Sequence, residues 1–460
     1  MITIVTACVG LIAVSGLRRG GLVSPMSVTL LMLLAIFGIR PVMMVGYDRY
    51  NFYGGNNVES GFEIAAWVGL LSVSFVLFGY FFGRLTRGAK EPELGYTTTH
   101  DRSAPEIGIA AAAAASASIL LAWLLLMAAT GGGFGYLVVL FEGRGAGGEA
   151  ALAGVPAIVP ALPVVAGLVL AYARITVQRL RRLTVQESIL YWLMIVVTIV
   201  PPSALGSRRF LLPSLLAAVL GALPPSWFKL VTWRMVGLAV ATFLALSIIP
   251  FVRSSGSRQG KTDLLGAMGD YFGEEGIGGT LENFFLSYDT EMFNYIAFLA
   301  RRLGGTIEYG LGRGTVLEAV VSPLPAALSK GLGPRWSDEI LIQAFGGACG
   351  VSYCPVPSVS GVLFYDLGLP GVIIGMTLLG ILLSRFESNF LGASGNKLLI
   401  LLALAAFMPQ LVRGNTIAQL WIAAQIVVLL VILRWAYLLV RPPRPRASVL
   451  VSPRGVGALR

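Results

Sequence analysis

Polar and apolar positions alternate along this chain on the scale of whole helices. Apolar runs of roughly 16 to 25 residues fall at about 2–17, 26–46, up to 83, 107–129, 152–173, 189–205, 210–223, 235–252, 362–383, 398–412 and 416–440, with polar stretches between them. A helix needs about 20 such residues to cross a bilayer, and only helices or closed barrels satisfy their backbone hydrogen bonds in lipid. Barrel strands would be short and alternating, and these runs are neither. The pattern predicts an all-α polytopic membrane protein of about 11 transmembrane helices, with the first and seventh runs short for a span.

One long stretch breaks the pattern. It divides the chain into a bundle of eight helices over 1–252, a long loop over 253–360, three further helices over 361–440 and a basic tail over 441–460. Within the loop, Leu281, Phe284, Phe285, Tyr288, Met292, Tyr295, Ile296 and Leu299 recur at spacings of three and four. That spacing predicts an amphipathic helix lying on the outer leaflet or on the bundle, with Glu282, Asp289, Glu291 and Asn294 on its other faces. The segment 315–328 is apolar but holds Pro323 and Pro325, so a re-entrant or interfacial element is expected.

Composition agrees with the pattern: 56% hydrophobic and 12% charged residues, against about 25% charged in soluble domains. The formal charge of +11 is a topology signal rather than a nucleic-acid patch. The long loop carries 8 basic and 11 acidic residues, leaving 26 basic against 12 acidic elsewhere. Most of that excess sits in alternate short loops, at Arg18 and Arg19, Arg84 to Arg102, Arg174 to Arg182, Lys229 and Arg234, Arg385, and Arg441 to Arg446. By the positive-inside rule these face the cytoplasm, which puts the N-terminus out, the C-terminus in and the long loop outside.

Two positions depart from that rule. Arg40 lies inside the second run, about 9 Å from its end at 1.5 Å per residue, where it either snorkels to the interface or lines a polar cavity. Arg208 and Arg209 end the sequence Gly-Ser-Arg-Arg on the outer side between two apolar runs. The first outer loop, 47–61, is rich in Tyr, Asn and Gly, a mixture that suits either a membrane interface or a carbohydrate. His100 is the single histidine and falls in an inner loop, so a multi-histidine zinc site or a histidine triad is not expected. Cys8 is expected to pack as a small apolar residue. Cys349 and Cys354 share the long loop, where they either pair in an oxidising compartment or remain unrelated thiols.

The Gly-Ser-Arg-Arg closing a mid-chain helix, Tyr309-Gly310-Leu311-Gly312 through Val320 to Pro323 and Pro325, Tyr365-Asp366-Leu367-Gly368 before a spanning helix, and Arg413-Gly414 between the last two helices resemble bacterial Wzy-type oligosaccharide repeat-unit polymerases. The likeness runs from about 200 to 420. Pro323 and Pro325 are followed by Leu324 and Ala326, where that family more often carries a basic residue.

The resemblance implies a metal-independent glycosyltransferase of the bacterial cytoplasmic membrane with no cofactor. It would join a glycan on undecaprenyl pyrophosphate to the next lipid-linked repeat unit, with membrane lipid and a chain-length regulator as further partners. A pyrophosphate leaving group gains negative charge as the glycosidic bond breaks, and fixed guanidinium groups match phosphate oxygens in a bidentate way that lysine does not. Arg208 and Arg209 are the first candidates for this stabilisation, followed by Arg253, Arg258, Arg335 and Arg413 as substrate-binding groups together with Tyr365. Asp289, Glu291 and Asp366 are candidates for a base at the acceptor hydroxyl. Two other readings stay open: a lipid-linked glycan ligase, against which the lack of an outer histidine counts, and a transporter or flippase, for which internal repeats would be expected.

Overall fold

The structure, a computed structural model, describes residues 1–17, 24–52, 56–86, 107–130, 158–204, 208–222, 290–324, 356–390 and 393–440, together with Gly279, Glu282, Phe285 and Leu286. Its helices are α1 (Ile2–Leu17), α2 (Pro25–Gly46), α3 (Phe62–Leu85), α4 (Ile109–Thr130), α5 (Leu162–Leu180), α6 (Val185–Ala204), α7 (Arg208–Ala222), α8 (Met292–Arg302), α9 (Ser358–Phe390), α10 (Gly395–Arg413) and α11 (Thr416–Val440). Seven are long and apolar enough to span a membrane, and α1, α6 and α7 carry shorter apolar stretches. These ten match ten of the expected runs, and the run at 235–252 lies outside the described residues.

Successive apolar helices alternate in direction from α1 to α7 and again from α9 to α11, and α9 runs parallel to α3, with Ser360 against Ser72 and Glu387 against Tyr80. Gly46, Phe62, Arg208, Ser358, Arg413 and Thr416 therefore share one end of the bundle with α8 and residues 303–324, here called the loop end. Two large apolar cores divide the bundle, beside a small cluster of Trp123, Met127 and Val159. One gathers α1, α2, α3, α8 and α9, the other α4 to α7 with α10 and α11. Helix α10 joins them, giving Met408 and Val412 to the first core and Leu398 to Phe407 to the second.

Small residues bring α3 and α9 together. A Cβ on Gly79 would sit 2.0 Å from the Thr377 carbonyl oxygen, and one on Gly380 would sit 2.1 Å from that of Val76. Apolar side chains gain little by leaving lipid for one another, so membrane helices associate through such close backbone approach. At the end opposite the loop, Glu387 is buried and takes the Met26 amide at 2.9 Å and the Tyr80 hydroxyl at 2.7 Å. One carboxylate thus satisfies a free donor of the first turn of α2 and ties α2, α3 and α9 together.

Several expectations shift. The start of the fifth run, 152–157, lies outside the described residues; from Val159 on, Pro160 and Pro163 fall in its first helical turns, and the helix continues past the apolar run to Leu180. Arg174, expected to end that span in solvent, is buried within it. Helix α9 consists of two helical stretches joined by a kink at Gly368, whose φ of 64° a side chain would resist, so Tyr365 and Asp366 close the short first stretch and stand before the long one, as expected of that motif. The Arg208–Arg209 pair opens α7 instead of closing α6, since the preceding helix ends at Ala204. Of the two places expected for the loop helix, the outer leaflet or the bundle, the structure has the second: Met292 to Leu299 are all buried, Asn294 among them. Cys8 faces outward from α1 instead of packing inside. His100, Cys349 and Cys354 lie outside the described residues.

Candidate functional site

Arg40 is where the loop end acquires polar chemistry. Helix α2 changes register through a wider turn at Leu34–Ile39, and the helical segment resumes at Arg40 and Pro41. Wide turns of this kind are frequent at functional positions. The Arg40 side chain is 4% exposed and points into the loop segment, where Nε donates to Asn294 Oδ1 at 2.7 Å and Nη1 to Thr290 Oγ1 at 2.7 Å and to the Phe285 carbonyl at 3.1 Å. Asn294 turns its amide nitrogen to the Asn51 carbonyl at 3.1 Å. Of the two readings for Arg40, snorkelling and a polar cavity, the structure has the second.

The cavity is a cleft of about 330 Å³ lined by Arg40, Arg49, Asn51 and Leu286. Arg40 is fixed, while Arg49 is mostly exposed at its rim and pairs with Glu282 at 2.9 Å. A short antiparallel pairing of Asn51–Phe52 with Asn56–Asn57 shapes the wall. Phe52 packs edge-on against Tyr295, which anchors that wall to α8. A concave site with one rigid and one exposed guanidinium suits an anionic group approaching from the loop end.

A second cluster lies on the kinked part of α9. Asp366 is 2% exposed, accepting from the Gly314 amide at 2.8 Å on one oxygen and from the Thr315 hydroxyl at 2.7 Å on the other. The carbonyls of Tyr365 and Asp366 take the amides of Gly310 and Leu311 at 2.9 and 3.0 Å. Both ends of the Gly310–Thr315 turn are therefore stapled to α9. The turn needs holding, because Leu311 is forced to a φ of 46°. With both carboxylate oxygens engaged, Asp366 positions the turn.

The turn leads into a helical segment, Arg313–Val321, that reaches α11 through a 2.9 Å hydrogen bond from Trp421 Nε1 to the Ala319 carbonyl. Glu318 in that segment is 2% exposed and accepts from Ser322 Oγ at 3.0 Å. No expectation named Glu318, although a single carboxylate within the apolar stretch after Thr315 was a readable signal.

The remaining candidates distribute as follows. Arg413 closes α10 at the loop end, within the part of the bundle that α11 and the 313–321 segment share. Arg208 and Arg209 form the first turn of α7 at that same end. Tyr365 is buried against the 310–314 turn. Glu291 is buried beside Thr290 at the start of α8. Asp289, Arg253, Arg258 and Arg335 lie outside the described residues. The structure thus gathers Arg413, Tyr365, Asp366, Arg208 and Arg209 at one end of the bundle and adds Arg40, Arg49 and Glu318 to them. Among the described residues no group of three His, Cys, Asp or Glu side chains forms a metal site.

No known family, characterised protein or solved structure matches this chain.

Proposed function

We propose that this protein is a metal-independent membrane glycosyltransferase that polymerises undecaprenyl-pyrophosphate-linked oligosaccharide repeat units at the outer face of the bacterial cytoplasmic membrane. The observation that supports it is the cleft at the loop end, with the fixed guanidinium of Arg40 in its wall and Arg49 at its rim. A lipid-linked substrate presents its pyrophosphate at the membrane surface, where helix ends and loops meet. Arginines at that level bind the pyrophosphate oxygens and stabilise the charge that develops as the sugar–phosphate bond breaks. Arg208, Arg209 and Arg413 stand at the same end and supply the second set of cations, for the acceptor unit's own pyrophosphate. The motifs resembling repeat-unit polymerases lie at this end too, at Tyr309–Gly312, Tyr365–Gly368 and Arg413–Gly414.

The test is the length distribution of surface glycan in cells whose only copy carries Arg40→Lys or Arg413→Ala. Single repeats retained with the long-chain ladder lost is the expected result. Loss of all surface glycan would reassign the protein to ligation or transport, and an unchanged ladder with normal protein levels would overturn the arginine assignment.

A further inference from the structure

The helical segment Arg313–Val321 has the polarity of a water-exposed helix turned inside out. Gly314, Glu318 and Val321, at spacings of four and three, form its buried face, so its one carboxylate points into the protein. Val316, Leu317 and Val320 form the opposite face and are 69%, 42% and 58% exposed. A helix on the surface of a protein in water shows the reverse, with its acid outward and its valines inward. In lipid the cost of a charge in hydrocarbon turns ionisable side chains towards the protein and leaves apolar ones outside. The arrangement fits the second solvent.

Two attachments fix the depth of the segment. Its first end is held on α9 by Tyr365 and Asp366, next to the kink at Gly368. Its far end hangs on α11, where Trp421 Nε1 donates to the Ala319 carbonyl at 2.9 Å. Trp421 is five residues into α11, about 7.5 Å along the axis. The 25 residues of that helix reach about 37 Å, about 7 Å more than a hydrocarbon core of about 30 Å. Even with all of that surplus at the loop end, Ala319 comes to the edge of the hydrocarbon.

The exposed apolar face also continues on both sides. Towards α9, Leu311, Leu367 and Leu369 are exposed around the kink, and Ile374 and Leu378 carry the stripe down the long stretch of that helix. Towards α11, Leu420 is exposed beside Trp421, ahead of Val428 and Ile432. Both stripes belong to helices long and apolar enough to span a membrane. Val316, Leu317 and Val320 therefore join two surfaces that already face acyl chains. Tyr309 and Arg313, both exposed at the end nearer the kink, are an aromatic and a cation of the kind that sits at headgroup level.

We propose that residues 311–320 are a lipid-inserted surface that enters the leaflet at the loop end without crossing the membrane. Val316, Leu317 and Val320 lie among the acyl chains of the bilayer, Arg313 reaches the phosphate level, and Glu318 stays on the protein side. The chain after α8 thus dips back into the bilayer, bridging α9 and α11, instead of standing in water above the bundle. The partner is the acyl chain of ordinary membrane lipid, and the surface does not depend on the activity proposed for the cleft at Arg40.

The test uses the full-length protein with a genetically encoded fluorescent amino acid in place of Val316, Leu317 or Val320, reconstituted into phosphatidylglycerol and phosphatidylcholine nanodiscs with or without bromine on the acyl chains. Ile374, exposed on a spanning helix, is the lipid control, and Glu308, exposed before the turn, is the water control. Labels at the three positions are expected to lose fluorescence to brominated chains as fully as the label at Ile374 and to be spared by aqueous iodide, the reverse of the label at Glu308. Where one labelled variant does not fold, the other two read the same face. Iodide quenching equal to that at Glu308 would place the face in water and overturn the proposal. Protection from both quenchers would overturn it as well, since another part of this chain or a second copy would then cover the face. The nanodiscs hold no polyprenyl lipid, so quenching by brominated chains reports ordinary acyl chains alone.

Discussion

Arg40 Nε and Asn294 Oδ1 stand 2.7 Å apart although 254 residues separate them in the chain. Through this contact the loop segment becomes part of the bundle. Asn294→Leu conserves volume but leaves a buried guanidinium short of one acceptor, which costs about 1–3 kcal/mol for a buried donor left unsatisfied. A marked fall in the melting temperature of the purified protein is expected. The paired change Arg40→Met with Asn294→Leu should recover much of the loss, because an apolar replacement of both partners removes the unpaired charge. Failure of the double variant to recover would show that Arg40 is held mainly by its other partners.

The staple between Asp366 and the 310–315 turn gives a second outcome. Asp366→Ala frees the Gly314 amide and the Thr315 hydroxyl, at about 1–3 kcal/mol for each buried group left unsatisfied. Asp366→Asn keeps one acceptor oxygen and should fall between the alanine variant and wild type. In Gly310→Ala the new methyl would meet the Tyr365 ring at 2.3 Å, so the turn has to lift from α9. Limited proteolysis should then cut near Leu311 faster in Asp366→Ala and Gly310→Ala than in wild type. If Asp366 instead acts as a base on substrate, Asp366→Asn would abolish glycan polymerisation while leaving the cleavage rate unchanged.

The spans were legible because hydropathy over some 20 residues is a local property, and every described apolar helix coincides with a predicted run. The polar site was legible in part. Arg40 and Arg208–Arg209 stood out as cations breaking the charge rule, but the partners of Arg40 are set by tertiary contacts that no local pattern carries. The same limit explains Arg174: an arginine after an apolar run reads as a solvent marker until Tyr191 and Trp192, on a different helix, are found beneath it. The burial of Asn294 on α8 was not legible for a related reason. Asn294 looks like a surface residue by type, and becomes interior only because Arg40 needs an acceptor there.

The α3–α9 contact tests how far close backbone approach carries this fold. Replacing Gly79 by Leu places a side chain where the Thr377 carbonyl oxygen would lie 2.0 Å from its Cβ, and the backbone cannot yield as a flexible side chain would. The helices must separate, which breaks the hydrogen bonds of Glu387 to Met26 and Tyr80 as well. Gly79→Leu is expected to abolish accumulation of folded protein. Trp67→Leu, at a surface position on the same helix, should be nearly silent. Fluorescence-detected size exclusion of the two variants checks this, and comparable monodisperse peaks would refute tight α3–α9 packing.

Acid sensitivity at the far end of the bundle has a calculable sign. Glu187 lies in the polar first turn of α6, ahead of the apolar run that starts at Ile189, and forms a reciprocal cap with Thr184: the Thr184 amide donates to Glu187 at 3.0 Å and the Glu187 amide to Thr184 Oγ1 at 3.2 Å. The side-chain hydrogen bond from Arg181, helped by the Thr184 amide and hydroxyl, lowers its carboxyl from the ordinary 4.5 to about 2, against a smaller opposing effect of burial. A carboxyl lowered in the folded state stabilises above its unfolded value, and that contribution is lost as pH falls from about 4.5 towards 2. The pair is partly exposed, so its worth is at most about 1 kcal/mol. Glu187→Gln should therefore lower the melting temperature slightly and evenly between pH 5 and 8, with the difference from wild type vanishing near pH 2. A difference that instead grew on acidification would show that the carboxylate is not held by Arg181.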